Sequence, residues 1–224
     1  MNESRKIAPA NLPDPQKPLL RGWLHLGAAP LVFLGGLALV TFAPTLSGRV
    51  TAAIFTITAV MMFGTSAVYH RGNWSPTTKA VLRRMDHANI YLIIAGTYTP
   101  LCVLLLPKDT AILVLSLVWG GAIAGILLRV FWLDAPRWLY TPLYVVLGLV
   151  VVGFLGPFYQ EAGALVVTLI AVGGLCYIAG AVIYGTKWPR GSTRYFGFHE
   201  IFHALTIVGF ACHFAAITIV LFSV

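Results

Sequence analysis

Seven runs of mostly apolar residues, each long enough to cross a lipid bilayer, dominate this chain. A hydrocarbon core about 30 Å thick takes roughly 20 residues of helix. By that measure the candidate spans are Trp23–Phe42, Val50–His70, Asp86–Leu106, Ala111–Phe131, Trp138–Leu155, Gly163–Tyr184 and Phe198–Leu221. Turn-forming residues separate them: Ala43-Pro44, Ser75-Pro76, Pro107-Lys108-Asp109, Ala135-Pro136, Gly156-Pro157 and Pro189-Arg190-Gly191. Inside lipid every backbone polar group needs an internal partner, so runs of this length read as helices. The expected fold is all-α, a seven-transmembrane helix bundle over residues 21–224. A Pro-rich tail at 1–20 precedes it, expected to be disordered, cytoplasmic and not a signal peptide. With 58% hydrophobic and 10% charged residues, nothing is left over for a soluble domain.

The formal net charge of +8 would raise nucleic-acid binding in a soluble protein. Here the basic residues lie between the apolar runs and report orientation instead. Arg5, Lys6, Lys17, Arg21, Arg71, Lys79, Arg83, Arg84, Arg129, Arg137, Lys187, Arg190 and Arg194 all fall on one side of seven alternating spans. Only Arg49 and Lys108 fall on the other. Cytoplasmic loops carry the excess of Lys and Arg, so the N-terminus is expected inside and the C-terminus outside. Five of the tryptophans, Trp23, Trp74, Trp132, Trp138 and Trp188, sit at span ends as interfacial anchors. Cys102, Cys176 and Cys212 all lie in apolar runs and read as small buried side chains.

Ionisable residues inside a membrane are costly and mark function by default. The last span opens with Phe198-His199-Glu200-Ile201-Phe202-His203, which sets two imidazoles one turn apart on one helix face. The second span ends at His70, with Ser66 one turn before it, and the third begins around Asp86. In alternating topology these three points share the cytoplasmic end. Three histidines with an open fourth position are a ligand set of catalytic zinc sites. His70, His199 and His203 are the candidate ligands, Asp86 the candidate general base and Ser66 the residue that orients water or a substrate carbonyl. Zinc lowers the pKa of its water to about 7. His87 turns about 100° from Asp86 on a helix and reads as structural or as a supporting partner. His213 lies ~15 Å further along the last span and cannot share the ion. His25, at the start of the first span, reads as interfacial.

The chain resembles the hemolysin III branch of the progestin and adipoQ receptor family, which also contains the adiponectin receptors. The matching pieces are Ser66-x-x-x-His70, Arg84-Met85-Asp86-His87-Ala88, Ala95-Gly96-Thr97-Tyr98-Thr99-Pro100, and His199-x-x-x-His203 followed by Cys212-His213-Phe214. The resemblance implies seven helices, a cytoplasmic N-terminus, and Zn2+ held by His70, His199 and His203 with Asp86 near the bound water. It implies a metal-dependent, ceramidase-like hydrolase of lipid amides or esters, with membrane lipids as partners and links to hemolysis and membrane-lipid homeostasis. The short tail resembles a bacterial member of the plasma (inner) membrane, without an extracellular hormone-binding role.

Two other readings stand beside this one. His199-Glu200-x-x-His203 spells the H-E-x-x-H of metalloproteases, with Glu200 as base, although no acidic residue follows His203 to complete that set. In a non-enzymatic reading the chain is a sensor, a receptor or a pore-forming cytolysin, and zinc only staples helices together.

Overall fold

The computed structural model describes residues 18–132, 134–190 and 194–223; most of the tail expected to be disordered lies outside them. The described chain is helical throughout: α1 (Trp23–Phe42), α2 (Leu46–Arg71), α3 (Pro76–Leu105), α4 (Lys108–Phe131), α5 (Arg137–Leu149), a 3-10 segment (Val150–Phe154), α6 (Leu155–Thr186) and α7 (Phe198–Ser223). Six helical runs are long and apolar enough to cross a membrane, the longest being the 50 residues from Arg137 to Thr186. Large apolar side chains such as Leu31, Leu117 and Leu165 point outward, as a lipid-facing surface requires. This is a multi-pass integral membrane protein.

The longest run doubles back on itself. The Arg137 guanidinium donates to the Tyr184 carbonyl at 3.1 Å, although 47 residues separate them. A straight helix would hold them ~70 Å apart. Gly163 has φ 77° and ψ 178°, outside the helical region, a conformation that costs glycine little because it has no Cβ. α5 ends for a different reason. The Tyr98 hydroxyl of α3 donates to the Gly148 carbonyl at 2.7 Å and accepts from the Val151 N–H at 2.7 Å. It thus inserts where Val151 would bond Leu147, which breaks the i→i−4 ladder.

α3 begins ten residues before the span read from hydropathy. Ser75 caps it, its hydroxyl accepting from Thr78 N–H at 3.2 Å, and Pro76 follows at the first helical position. Hydropathy marks where a helix enters lipid, whereas capping marks where it starts. Lys79, Arg83 and Arg84 are compatible with helix, so α3 extends beyond the apolar run. Asp86 and His87 consequently sit almost three turns into α3 rather than at its mouth.

α3 is the most enclosed span, with 72% of its apolar window buried against 22% for α1. The contact between α2 and α7 is aromatic, with Phe55 stacked on Phe210 at 5.5 Å and Phe63 edge-on to Phe210 at 5.0 Å. Trp119, in mid-span, donates to Thr99 Oγ1 at 3.2 Å and packs α4 on α3.

Candidate metal and lipid site

The starts of α1, α3, α5 and α7 meet the ends of α2, α4 and α6 at one end of the bundle. There, His70 of α2 and His199 and His203 of α7 come together, with one ligating atom from each within 4.8 Å of the others. His70 Nε2 and His199 Nε2 are 3.2 Å apart. His70 and His203 are buried and His199 is half-buried. Asp86 Oδ2 lies 3.9 Å from His70 Nε2. Ser66 is buried and lines the same recess as Asp86. All five residues singled out in the sequence are therefore neighbours, although 129 positions separate His70 from His199.

The donor set fits a metal ion. Imidazoles suit zinc, copper, iron and nickel, and three of them leave a coordination place open. A recess of about 20 Å³ touches Ser66, Asp86, His87, His199 and His203. That is room for one water molecule. Met62, Ile90, Tyr184 and Phe202 line the recess and also line a cavity of about 350 Å³ between α3, α5, α6 and α7. The cavity wall is almost wholly apolar, and its volume falls within the ~300–1,000 Å³ range of small-molecule pockets.

His25 is not interfacial. It is fully buried, its ring stacked on His203 at 3.9 Å and 5° and edge-on to Phe63 at 5.0 Å. It is part of the wall that fixes His203. Gly22 makes this packing possible. It has φ 81°, and a Cβ there would lie 2.7 Å from the Cβ of His70. α1 can start against α2 only because that position has no side chain.

Glu200 is committed elsewhere. It is 1% exposed, accepts from Gly197 N–H at 2.8 Å and pairs with the Arg21 guanidinium. The bond to Gly197 is the returning half of a capping box, which satisfies an orphan N–H at the helix start. Glu200 does not line the recess. The H-E-x-x-H spelling is thus a helix cap that overlaps a histidine pair, and the protease reading loses its base.

His87 lines the recess and anchors a second polar group that the sequence reading missed. Arg129 is fully buried and donates to His87 Nδ1 at 3.0 Å. Its guanidinium lies 4.2 Å above the Tyr140 ring. The Tyr184 hydroxyl is 3.4 Å from His87 Nε2 and 3.4 Å from the Tyr140 hydroxyl. The alternation rule that gathers His70, Asp86 and His199 also gathers His25, Arg129 and Tyr184. In the sequence, however, Arg129 reads as a topology charge and Tyr184 as a span end.

A helical bundle with a histidine–carboxylate cluster at one end defines the class: a polytopic membrane protein built around a polar intramembrane site. Comparison with known proteins makes this specific. The model of the family described as "Haemolysin-III related" matches residues 14–214, and the chain belongs to that hemolysin III family, a branch of the progestin and adipoQ receptor-like proteins. A hemolysin-3 homolog of Bacillus subtilis (strain 168) is 28% identical over 165 residues, covering 74% of each chain. Hemolysin-3 of Bacillus cereus is 26% identical over 170 residues, covering 76% of this chain and 74% of its own. Family and helices together fit a bacterial plasma membrane.

Proposed function

We propose that this protein is a zinc-dependent hydrolase of membrane-lipid amides or esters, acting in membrane-lipid homeostasis, with seven crossings and a cytoplasmic N-terminus. One observation carries the reading: His70, His199 and His203 converge beside Asp86, and the recess lined by Asp86, His199 and His203 shares wall residues with an apolar cavity of about 350 Å³. His70, His199 and His203 hold the ion. Zinc supplies Lewis acidity and readily ionised water. The residues of the chain do the rest. The apolar cavity takes the lipid chain and leaves its carbonyl at the recess. Asp86 accepts a proton from water beside His70. Ser66, on the wall of the same recess, orients the water or the substrate carbonyl. His25 and Phe63 keep the His203 ring oriented.

Purified protein is expected to contain about one zinc per chain and to release fatty acid from a lipid amide or ester. His199→Ala is expected to lose both the metal and the turnover. Turnover that survives this change overturns the assignment.

The relatives' names favour a second reading, a lytic pore. Against it, the buried charges Arg129 and Glu200 and the half-buried Asp86 gather at one end while the cavity beyond them is apolar. Leakage of a small dye from liposomes, unaffected by Asp86→Asn, would favour the pore.

A further inference from the structure

Met62, Ile90, Tyr184 and Phe202 stand on the wall of both the recess and the apolar cavity. Of these, Tyr184 alone brings a polar group to the place where the two spaces meet. It lies near the end of α6, and its ring is held on several sides. The Arg137 guanidinium lies 4.5 Å above it, with Phe202 at 5.1 Å and His199 at 5.9 Å. Its hydroxyl points to the recess, since Nε2 of the recess-lining His87 is 3.4 Å away.

The neighbouring hydrogen bonds fix the direction in which this hydroxyl works. A guanidinium can only donate, so Arg129 makes His87 Nδ1 an acceptor at 3.0 Å. The proton of the neutral ring therefore sits on Nε2, and the Tyr184 oxygen accepts it. On its other side, the Tyr140 hydroxyl is 3.4 Å from that of Tyr184. His87 Nε2, Tyr184 and Tyr140 thus bring three protons to two contacts. Tyr140 is 3% exposed and lines neither space. Among the described residues its proton meets one acceptor, the Tyr184 oxygen. A buried hydroxyl proton needs an acceptor, so Tyr140 donates to Tyr184. Tyr184 accepts from both neighbours, and its own proton is left for the recess.

We infer that Tyr184 donates a hydrogen bond to the carbonyl oxygen of the bound lipid, with Arg129 and His87 as positioning residues. The inference rests on the hydrolase reading above. As the oxygen of water bonds to the carbonyl carbon, the π pair moves onto the carbonyl oxygen and the proton of water goes to Asp86. Tyr184 meets the charge that develops on that oxygen and keeps its own proton throughout. Arg129 cannot accept, so the imidazole cannot exchange its tautomer and Tyr184 cannot turn its proton toward Nε2. A donor fixed beforehand needs no reorganisation when the charge appears.

The test measures acyl release by the purified, metal-loaded protein from a fluorescent N-acyl lipid and its O-acyl counterpart. Tyr184→Phe removes only the hydroxyl. Its kcat is expected to fall about 10²–10³-fold, as for the loss of one oxyanion donor, with KM and metal content little changed. His87→Leu is expected to lower kcat about tenfold in the parent and to cost nothing more in Tyr184→Phe. His87→Gln, whose amide can accept from Arg129 and donate to Tyr184, should restore the rate. Unchanged kcat in Tyr184→Phe, or a fall that follows loss of metal, overturns the role of Tyr184 and leaves the hydrolase standing. An equal fall for His87→Leu in both backgrounds overturns the positioning by His87. No release by the metal-loaded parent overturns the hydrolase reading, and this inference with it.

Discussion

Histidines occupy two regions inside this bundle, and they differ in what their nitrogens face. At the recess, nitrogens of His70, His199 and His203 converge within 4.8 Å, with a carboxylate beside them. At the far end of the cavity, His213 spends one nitrogen on a backbone carbonyl and leaves one lone pair. Several converging lone pairs are neutralised by a cation, whereas a single ring is held by one hydrogen bond. Residue type is alike in the two places; the number of ring nitrogens converging on one spot separates a metal site from a ring anchored to a single carbonyl.

The sharpest way to break this contrast is at the recess. Asp86→Asn keeps shape and volume but removes the base. Metal content is expected to stay near that of the parent while turnover falls ~10²–10⁴-fold, measured as fatty acid release together with metal analysis. Loss of metal along with turnover would instead make Asp86 a ligand. Gly22→Ala comes next. A side chain at φ 81° pressed against His70 is expected to destabilise the fold by about 1–3 kcal/mol and to loosen metal retention, read by thermal melting and by dialysis against a chelator. An unchanged melting temperature would show that α1 does not brace the site.

Glu200→Gln should do less. It weakens the pair with Arg21, which is partly exposed, and keeps an acceptor for Gly197. The expected loss is about 1 kcal/mol of stability or less, with turnover retained; abolished turnover would revive Glu200 as a base. The smallest effect at the recess should come from the other region: His213→Phe is expected to leave the metal content unchanged, and a drop would show that the two regions are coupled.

Much of this was legible beforehand because the bilayer simplifies the problem. Apolar runs and the Lys/Arg bias imply alternating spans, and alternation brings His70, Asp86, His199 and His203 to one end. The same rule would have gathered Arg129, Tyr184 and His25, but single residues at span ends have simpler explanations. Glu200 misleads from sequence alone because a capping carboxylate and a catalytic one can share a spelling. The start of α3 was misplaced because hydropathy cannot see a Ser-Pro cap ten residues outside the lipid. The end of α5 was invisible because its cause, the Tyr98 hydroxyl, comes from another helix.

The sequence by itself determined that the chain lives in a membrane, that it is helical, and which ionisable residues share one end of it. Those outcomes follow from transfer energies and helix periodicity, which act residue by residue. Only the tertiary structure decided that the recess shares wall residues with the apolar cavity, that Glu200 turns away from the histidines, and that His213 spends one nitrogen on a backbone carbonyl. Such outcomes depend on which side chains from distant helices fill the same space, and no local property of the chain records that.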